Sequence, residues 1–167
     1  KRRKAAEWKN RKAEWAAVNG DLDQKLYLFY SGNIPEIDFK SIQHKEGSAT
    51  RAASAAVLGV LAKKIENMVV ASADLSNSDK TDGFLKNTKP FVRGDFTGAF
   101  LQAGVAELTM AAVMNGIALH GGIIPACGTF FVFSDYMKPA VRLACLMGLP
   151  VKYIWTHDAF RVGEDGP

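Results

Sequence analysis

The stretch Phe100–Tyr136, FLQAGVAELTMAAVMNGIALHGGIIPACGTFFVFSDY, decides how this chain is read. It opens on an apolar segment, Phe100–Val105, that reads as a strand. Glu107 follows at the head of an Ala- and Met-rich pattern, which predicts a helix over Glu107–Leu119 ending near His120-Gly121-Gly122. Ile123–Ala126 is a second short apolar run. Phe130, Phe133 and Tyr136 then recur at intervals of three. A lone carboxylate at the start of a buried-looking helix, with aromatic rings downstream, suits a flat, basic, heteroaromatic ligand.

The same alternation extends in both directions. Upstream, Ala49–Lys64 has small and apolar residues at helical spacing, and Asn67–Ala73 (NMVVASA) reads as a buried strand. Asp74–Pro90 reads as a polar loop. Downstream, Ser134–Met147 predicts a helix broken by Gly148, and Val151–Thr156 (VKYIWT) a further strand. Strands alternating with helices of this length predict an α/β fold, a mostly parallel sheet with helices on both faces. Ligands of open α/β sheets gather beyond the carboxyl ends of the strands. Asp74, Glu107, the Phe130 cluster and His157-Asp158 each follow a predicted strand, so one sheet edge collects them.

The N-terminal part is of another kind. Lys1–Asn19 predicts a helix with Trp8, Trp15 and Val18 on one stripe, stopped by Asn19-Gly20, and Leu22–Tyr30 a second short helix. Ser31–Gly47 mixes Gly, Asn, Pro and charged residues without a period and reads as an extended linker. The expected division is a helical connector over residues 1–47 and a compact domain over 48–167.

At 167 residues and 48% hydrophobic composition, the chain can bury one sizeable core. The net charge of +4 is concentrated at one end. Lys1–Asn19 holds seven basic and two acidic residues out of totals of 21 and 17, leaving the remainder nearly balanced. Without interleaved aromatics or a recognised motif this predicts no nucleic-acid partner. No apolar run reaches the roughly 18–20 residues that span a bilayer, so no membrane partner is expected. KRRK is followed by no apolar signal core, and Cys127 and Cys145 read as buried free thiols of a reducing compartment, together pointing to a cytoplasmic location.

Most candidate residues fit two readings on position alone. Glu107 is either an acid stabilised by a helix N-terminus or a carboxylate held among Leu101, Val105 and Met110 to share a proton with a ring nitrogen. Phe130, Phe133 and Tyr136 are either core or a wall that stacks on a planar ring. Arg51, near a predicted helix start, and Ser76, Asn77 and Ser78, in a polar loop, are either ordinary local residues or phosphate donors. His157 and Asp158 form either a surface turn or an acid/base or sugar-hydroxyl pair. His44 and His120 have no partners at metal-ligand spacing, so no metal site is expected. Walker-type loops, G-x-G-x-x-G and a nucleophile elbow are all absent, which leaves nucleotide and serine hydrolysis without support.

Five segments in order, ATRAAS, SADLSNS, GVAELTMAAVMNGIALHGG, GTFFVFSDYMKPAVRLACLMGLP and THDAFRVGEDGP, resemble the central, pyrimidine-binding domain of transketolase over about Ser48–Pro167. The N-terminal helices and linker resemble, more weakly, the connector after that family's first domain. The resemblance implies thiamine diphosphate as cofactor. Glu107 matches the acid that hydrogen-bonds N1′ of its aminopyrimidine, and the reaction runs through a carbanion on the cofactor. Phe130, Phe133 and Tyr136 match the aromatic wall around the pyrimidine, with Phe133 as the stacking ring. Asp74 matches an acid near the cofactor and the subunit boundary. Arg51 and Ser78 match donors to the sugar phosphate, and His157 and Asp165 match groups that bind donor hydroxyls.

The implied activity is transfer of a two-carbon ketol unit from a ketose phosphate to an aldose phosphate, in the pentose phosphate pathway, by a homodimer. The partner subunit's diphosphate-binding domain completes the cofactor site. Ala106 and Leu108 depart from the Arg and His or Phe that many relatives carry around the acid, and Asn77 stands where Pro is common. The G-D-G…N motif that binds the diphosphate through Mg²⁺ is absent, as is the Thr-His continuation after Pro167. The chain therefore reads as a middle-domain fragment, inactive alone, with Mg²⁺ held by the missing first domain. The alternatives are another thiamine diphosphate enzyme, such as deoxyxylulose phosphate synthase or a 2-oxo acid dehydrogenase subunit, and a non-catalytic α/β dimerisation module.

Overall fold

The run NMVVASA supplies the central strand, β1 (Met68–Ser72), and all of its residues are buried. A computed structural model describes residues 2–158. In it β1 is flanked by β2 (Phe100–Gln102) on one side and β3 (Ile124–Phe130) on the other, with β4 (Lys152–Thr156) outside β3. The order is β2-β1-β3-β4 and every pairing is parallel. A parallel strand covered on both faces has no reason to alternate, which is why NMVVASA reads as a continuous apolar run.

Successive residues of β1 face opposite layers. Met68 and Val70 pack with Leu58 of α3 (Thr50–Lys64) and Phe84 of α5 (Asp82–Leu85). Val69 and Ala71 pack with Met110, Ala111 and Met114 of α6 (Glu107–His120) and with Met137 and Ala140 of α7 (Ser134–Leu146). The expected sheet with helices on both faces is the observed one. Met110 and Met114, one helical turn apart, are fully buried and form the inner stripe of α6.

The chain passes from β1 to β2 on one side, then returns beyond β1 to β3. The strand order therefore reverses between β1 and β3, the place where open α/β sheets form a ligand crevice. The segments leaving the carboxyl ends of β1, β2 and β3 all open there.

Several local readings are corrected. Asp74–Pro90 is not a plain polar loop: it contains α4 (Ser76–Asp79) and α5, with Thr81 and Phe84 essentially unexposed. Four-residue helices are too short to show a period, and their burial comes from packing of α5 on α3 and of α4 on β3. The second apolar run extends to Phe130 because Ala126–Phe130 pairs with Lys152–Thr156. The strand begun at Phe100 stops at Gln102. Cys127 is buried as expected, but Cys145 is exposed on the outer side of α7. Burial pushes the Cys127 thiol up to about 12. Ellman's reagent at about pH 8 is expected to titrate one thiol in the folded chain and the second only after denaturant, since the thiolate is the reactive form; two fast thiols would contradict this burial.

The N-terminal residues form α1 (Arg2–Val18) and α2 (Gly20–Ser31), joined by a Lys12–Asp23 ion pair of 3.2 Å. The described residues fall into two compact units divided between Asn33 and Ile34, upstream of the expected boundary at 47/48. The intervening segment contains a short 3-10 turn, Phe39–Ser41, and Ile37 packs against the α3 layer. Among the described residues no helix is long and apolar enough to cross a membrane.

Candidate active site

Gly104 reverses the chain between β2 and α6 in the left-handed conformation, φ 67°, which a Cβ would oppose. Ala106 then occupies the N-cap without a side-chain hydrogen bond, and Glu107 starts the helix. The helix N-terminus presents unpaired N–H groups and a partial positive charge to a carboxylate at this position. Glu107 is nonetheless only 7% exposed, a deep setting for an acid in a first turn. Met110 is buried on the same helix, while Val105 lies largely in the open.

Glu107 forms one wall of a cleft of about 480 Å³ whose other lining residues are Ala73, Asp74, Leu75, Val105, Phe133 and Tyr136. These come from three strand ends: Ala73–Leu75 after β1, Val105 and Glu107 after β2, Phe133 and Tyr136 after β3. Asp74 adopts φ 64°, an uncommon backbone state for a non-glycine residue, at the point where β1 leaves the sheet. Two carboxylates, two aromatic rings and an apolar remainder thus share one crevice at the switch point. Of the four features expected at this sheet edge, three contribute to the cleft.

Phe130 does not line it. It ends β3, is 5% exposed, and lies under Phe133 with ring centroids 5.7 Å apart and planes 11° from parallel. Phe133 is stacked in turn with Tyr136 at 6.2 Å. On its other side Phe130 meets the His157 ring at 3.7 Å. A continuous series of rings, His157–Phe130–Phe133–Tyr136, therefore runs from the end of β4 to the cleft.

His157 has a left-handed backbone, φ 55°. Its Nε2 is hydrogen-bonded by the guanidinium Nη1 of Arg51, from the first turn of α3, and its Nδ1 lies 2.9 Å from Thr156 Oγ1. A guanidinium only donates, so Nε2 accepts and the imidazole proton sits on Nδ1, directed at Thr156. Arg51 and His157, proposed from separate segments, are thus brought together. Ser78 lies exposed on α4, and Asp165 lies outside the described residues. Asp158 is exposed. Among the described residues no group of three His, Cys, Asp or Glu side chains is arranged to hold a metal ion.

Sequence reasoning passed over Asp79. It is 1% exposed and accepts hydrogen bonds from Ser72 and Thr81. Burial raises its carboxyl above the ordinary range, opposed by the Thr81 and Ser72 hydrogen bonds. No spacing in SNSDKTD announces a buried acid. The nearest cue is the apolar Gly83-Phe84-Leu85 that follows.

Residues 46–167 match the family model for the transketolase pyrimidine-binding domain. The chain belongs to the transketolase family. It is 47% identical to the transketolase of Bacillus subtilis over 99% of its own length, and 51% identical to that of Sinorhizobium medicae over 87%. It covers 25% and 21% of those proteins, so it spans about a quarter of the transketolases it matches. Among solved structures, transketolase from Leishmania mexicana superposes with a TM-score of 0.85 at 34% identity, over 96% of this chain and 24% of that one. A Pichia stipitis transketolase in complex with sedoheptulose 7-phosphate gives 0.81 at 33% identity, over 96% and 25%. Within that family the domain is the pyrimidine-binding one, and its fold is that of the matched quarter of the solved transketolases.

Proposed function

We propose that this domain holds the pyrimidine of thiamine diphosphate in the Glu107 cleft and that the enzyme carrying it transfers two-carbon ketol units between sugar phosphates. The observation that carries this reading is the placement of a nearly buried acid beside the stacked Phe133 and Tyr136 rings in one crevice. These residues fit the group. A planar, basic heterocycle needs an apolar stacking surface and one acid at its edge, and the cleft offers both. When bound, the cofactor supplies the carbanion chemistry.

The residues of this chain have separable tasks. Phe133 and Tyr136 stack the ring, with Phe130 fixing Phe133 from below. Glu107 holds a proton against the ring nitrogen in a place from which water is largely excluded. Asp74 faces the same crevice. Arg51 and Ser78 bind the sugar phosphate, and His157, already oriented by Arg51 and Thr156, donor hydroxyls; Asp165 is proposed for the same role. The Pichia stipitis relative solved with a seven-carbon sugar phosphate supports this substrate class.

The remaining parts are proposed from the family. The diphosphate and its Mg²⁺ belong to the first domain of a partner subunit, in a homodimer acting in the pentose phosphate pathway of the cytoplasm. Supporting a partner are the exposed apolar side chains of α6, Leu108, Val113 and Leu119. The functional domain is taken to begin near Ser48, with 1–47 as connector, and this piece alone is expected to show no turnover.

Arg51→Ala in the intact enzyme tests the substrate reading. A charge-assisted hydrogen bond contributes about 1.5–3 kcal/mol, so KM for a phosphorylated ketose is expected to rise roughly ten- to a hundredfold. An unphosphorylated ketose should be affected less, through the lost contact to His157 alone. Equal losses on both substrates would remove Arg51 from phosphate binding.

A further inference from the structure

Among the described residues Asp79 is a carboxylate, 1% exposed, that does not line the cleft. Asp79 closes α4, and its Oδ2 accepts from Ser72 Oγ at 2.7 Å. Its Oδ1 accepts from the Thr81 N–H at 2.8 Å and the Thr81 hydroxyl at 2.7 Å. Ser72 Oγ accepts in turn from the Leu75 N–H at 3.2 Å. The two carboxyl oxygens of Asp79 thus collect the Ser72 hydroxyl and both Thr81 donors at once.

The bonds straddle the part of the chain that lines the cleft. Ser72 ends β1, Thr81 precedes α5, and Ala73, Asp74 and Leu75 stand between them facing Glu107 and Phe133. Asp74 and Lys80 within this crossover both have left-handed backbone, at φ 64° and 68°. Non-glycine residues keep that state only where their surroundings over-determine it. The sheet limits movement from below. Gly128 of β3 is the register partner of Ser72, and a Cβ there would lie 2.5 Å from Thr81 Cγ2 and 3.1 Å from Asp79 Oδ2. The network is therefore pressed flat on β3.

We propose that Asp79 is a positioning residue: through Ser72 and Thr81 it holds the Ala73–Leu75 wall at the spacing from Glu107 and Phe133 that a planar cofactor ring requires. It touches neither cofactor nor substrate. The inference rests on the reading of this cleft as the pyrimidine site, and it adds a residue that the family resemblance did not assign.

The test uses the intact enzyme, freed of cofactor and titrated with thiamine diphosphate. Asp79→Ala is expected to raise the half-saturating cofactor concentration at least tenfold, while kcat at saturation falls less than threefold. Asp79→Asn should restore half-saturation to within threefold of the parent. Its amide oxygen still accepts from Thr81 and its NH₂ can donate to Ser72 Oγ. A purely structural role would lower thermal stability yet leave half-saturation unchanged in the folded fraction, and that result overturns the proposal. If Asp79→Ala does not fold, Thr81→Val, which removes one hydroxyl donor at nearly constant shape, is read instead. A rise of threefold or more supports the proposal, and no rise overturns it. Glu107→Gln run alongside separates the two layers. Turnover that survives that change refutes the cleft reading itself, whereas lost turnover with unaltered half-saturation in the Asp79 variants refutes only the positioning role.

Discussion

Glu107→Gln in the intact enzyme is expected to lower kcat by about 10²- to 10⁴-fold with the fold unchanged, the range in which a positioned proton donor or acceptor contributes. That loss corresponds to about 3–5 kcal/mol of barrier. Glutamine keeps the length of the side chain and an oxygen at its end, but it cannot share a proton with a ring nitrogen. The competing account, an acid that merely stabilises the head of α6, makes a different forecast. An exposed acid interacting with a helix N-terminus contributes about 0.3–1 kcal/mol. Losing it would shift the melting temperature by a few degrees and leave turnover alone. At 7% exposure in a crevice shared with Phe133, Glu107 is deeper than the exposed acid of that account, which favours the first forecast. Ketol transfer at the parent rate by Glu107→Gln would end the catalytic reading.

Gly83→Ala is expected to be among the most damaging single-methyl changes in the domain. A Cβ on Gly83 would stand 2.3 Å from the carbonyl oxygen of Ala55, 2.7 Å from its Cα and 2.8 Å from its carbonyl carbon. All of these atoms are backbone of α3, so no side-chain rotation relieves the clash, and α5 must move off α3. Overpacking of a well-filled core typically costs about 1–3 kcal/mol and occasionally more; with backbone on the receiving side, the upper end, roughly 3 kcal/mol, is expected. Urea denaturation of the variant measures it, and a loss below about 1 kcal/mol would show that the two helices separate freely. The change also reaches the site, because the first turn of α3 carries Arg51 opposite His157.

Much of this architecture could be read from local pattern. NMVVASA, the Ala- and Met-rich helix after Glu107 and VKYIWT each declare their element through spacing and length, and their alternation leaves a parallel sheet as the natural arrangement. The convergence of Asp74, Glu107 and the aromatic cluster on one edge followed from that topology alone. The segment between β1 and β2 was not legible. Its helices, α4 and α5, span four residues each, less than the window in which a period can be recognised. Cys145 lies in an apolar run yet on the outer side of α7, a distinction that run composition does not carry.

What the order of residues determined by itself was the main strands and longer helices, the family and the acid at a helix head, because periodicity, turns and motifs act over a few neighbouring positions. Tertiary structure decided which of three evenly spaced rings faces the cleft and which lies beneath it. It also decided that Arg51 meets His157 across 106 positions, and that Asp79 finds donors on both sides of a loop. Those outcomes depend on strand register and on how closely a glycine lets two layers approach. Such quantities arise only when distant segments pack, and no local window contains them.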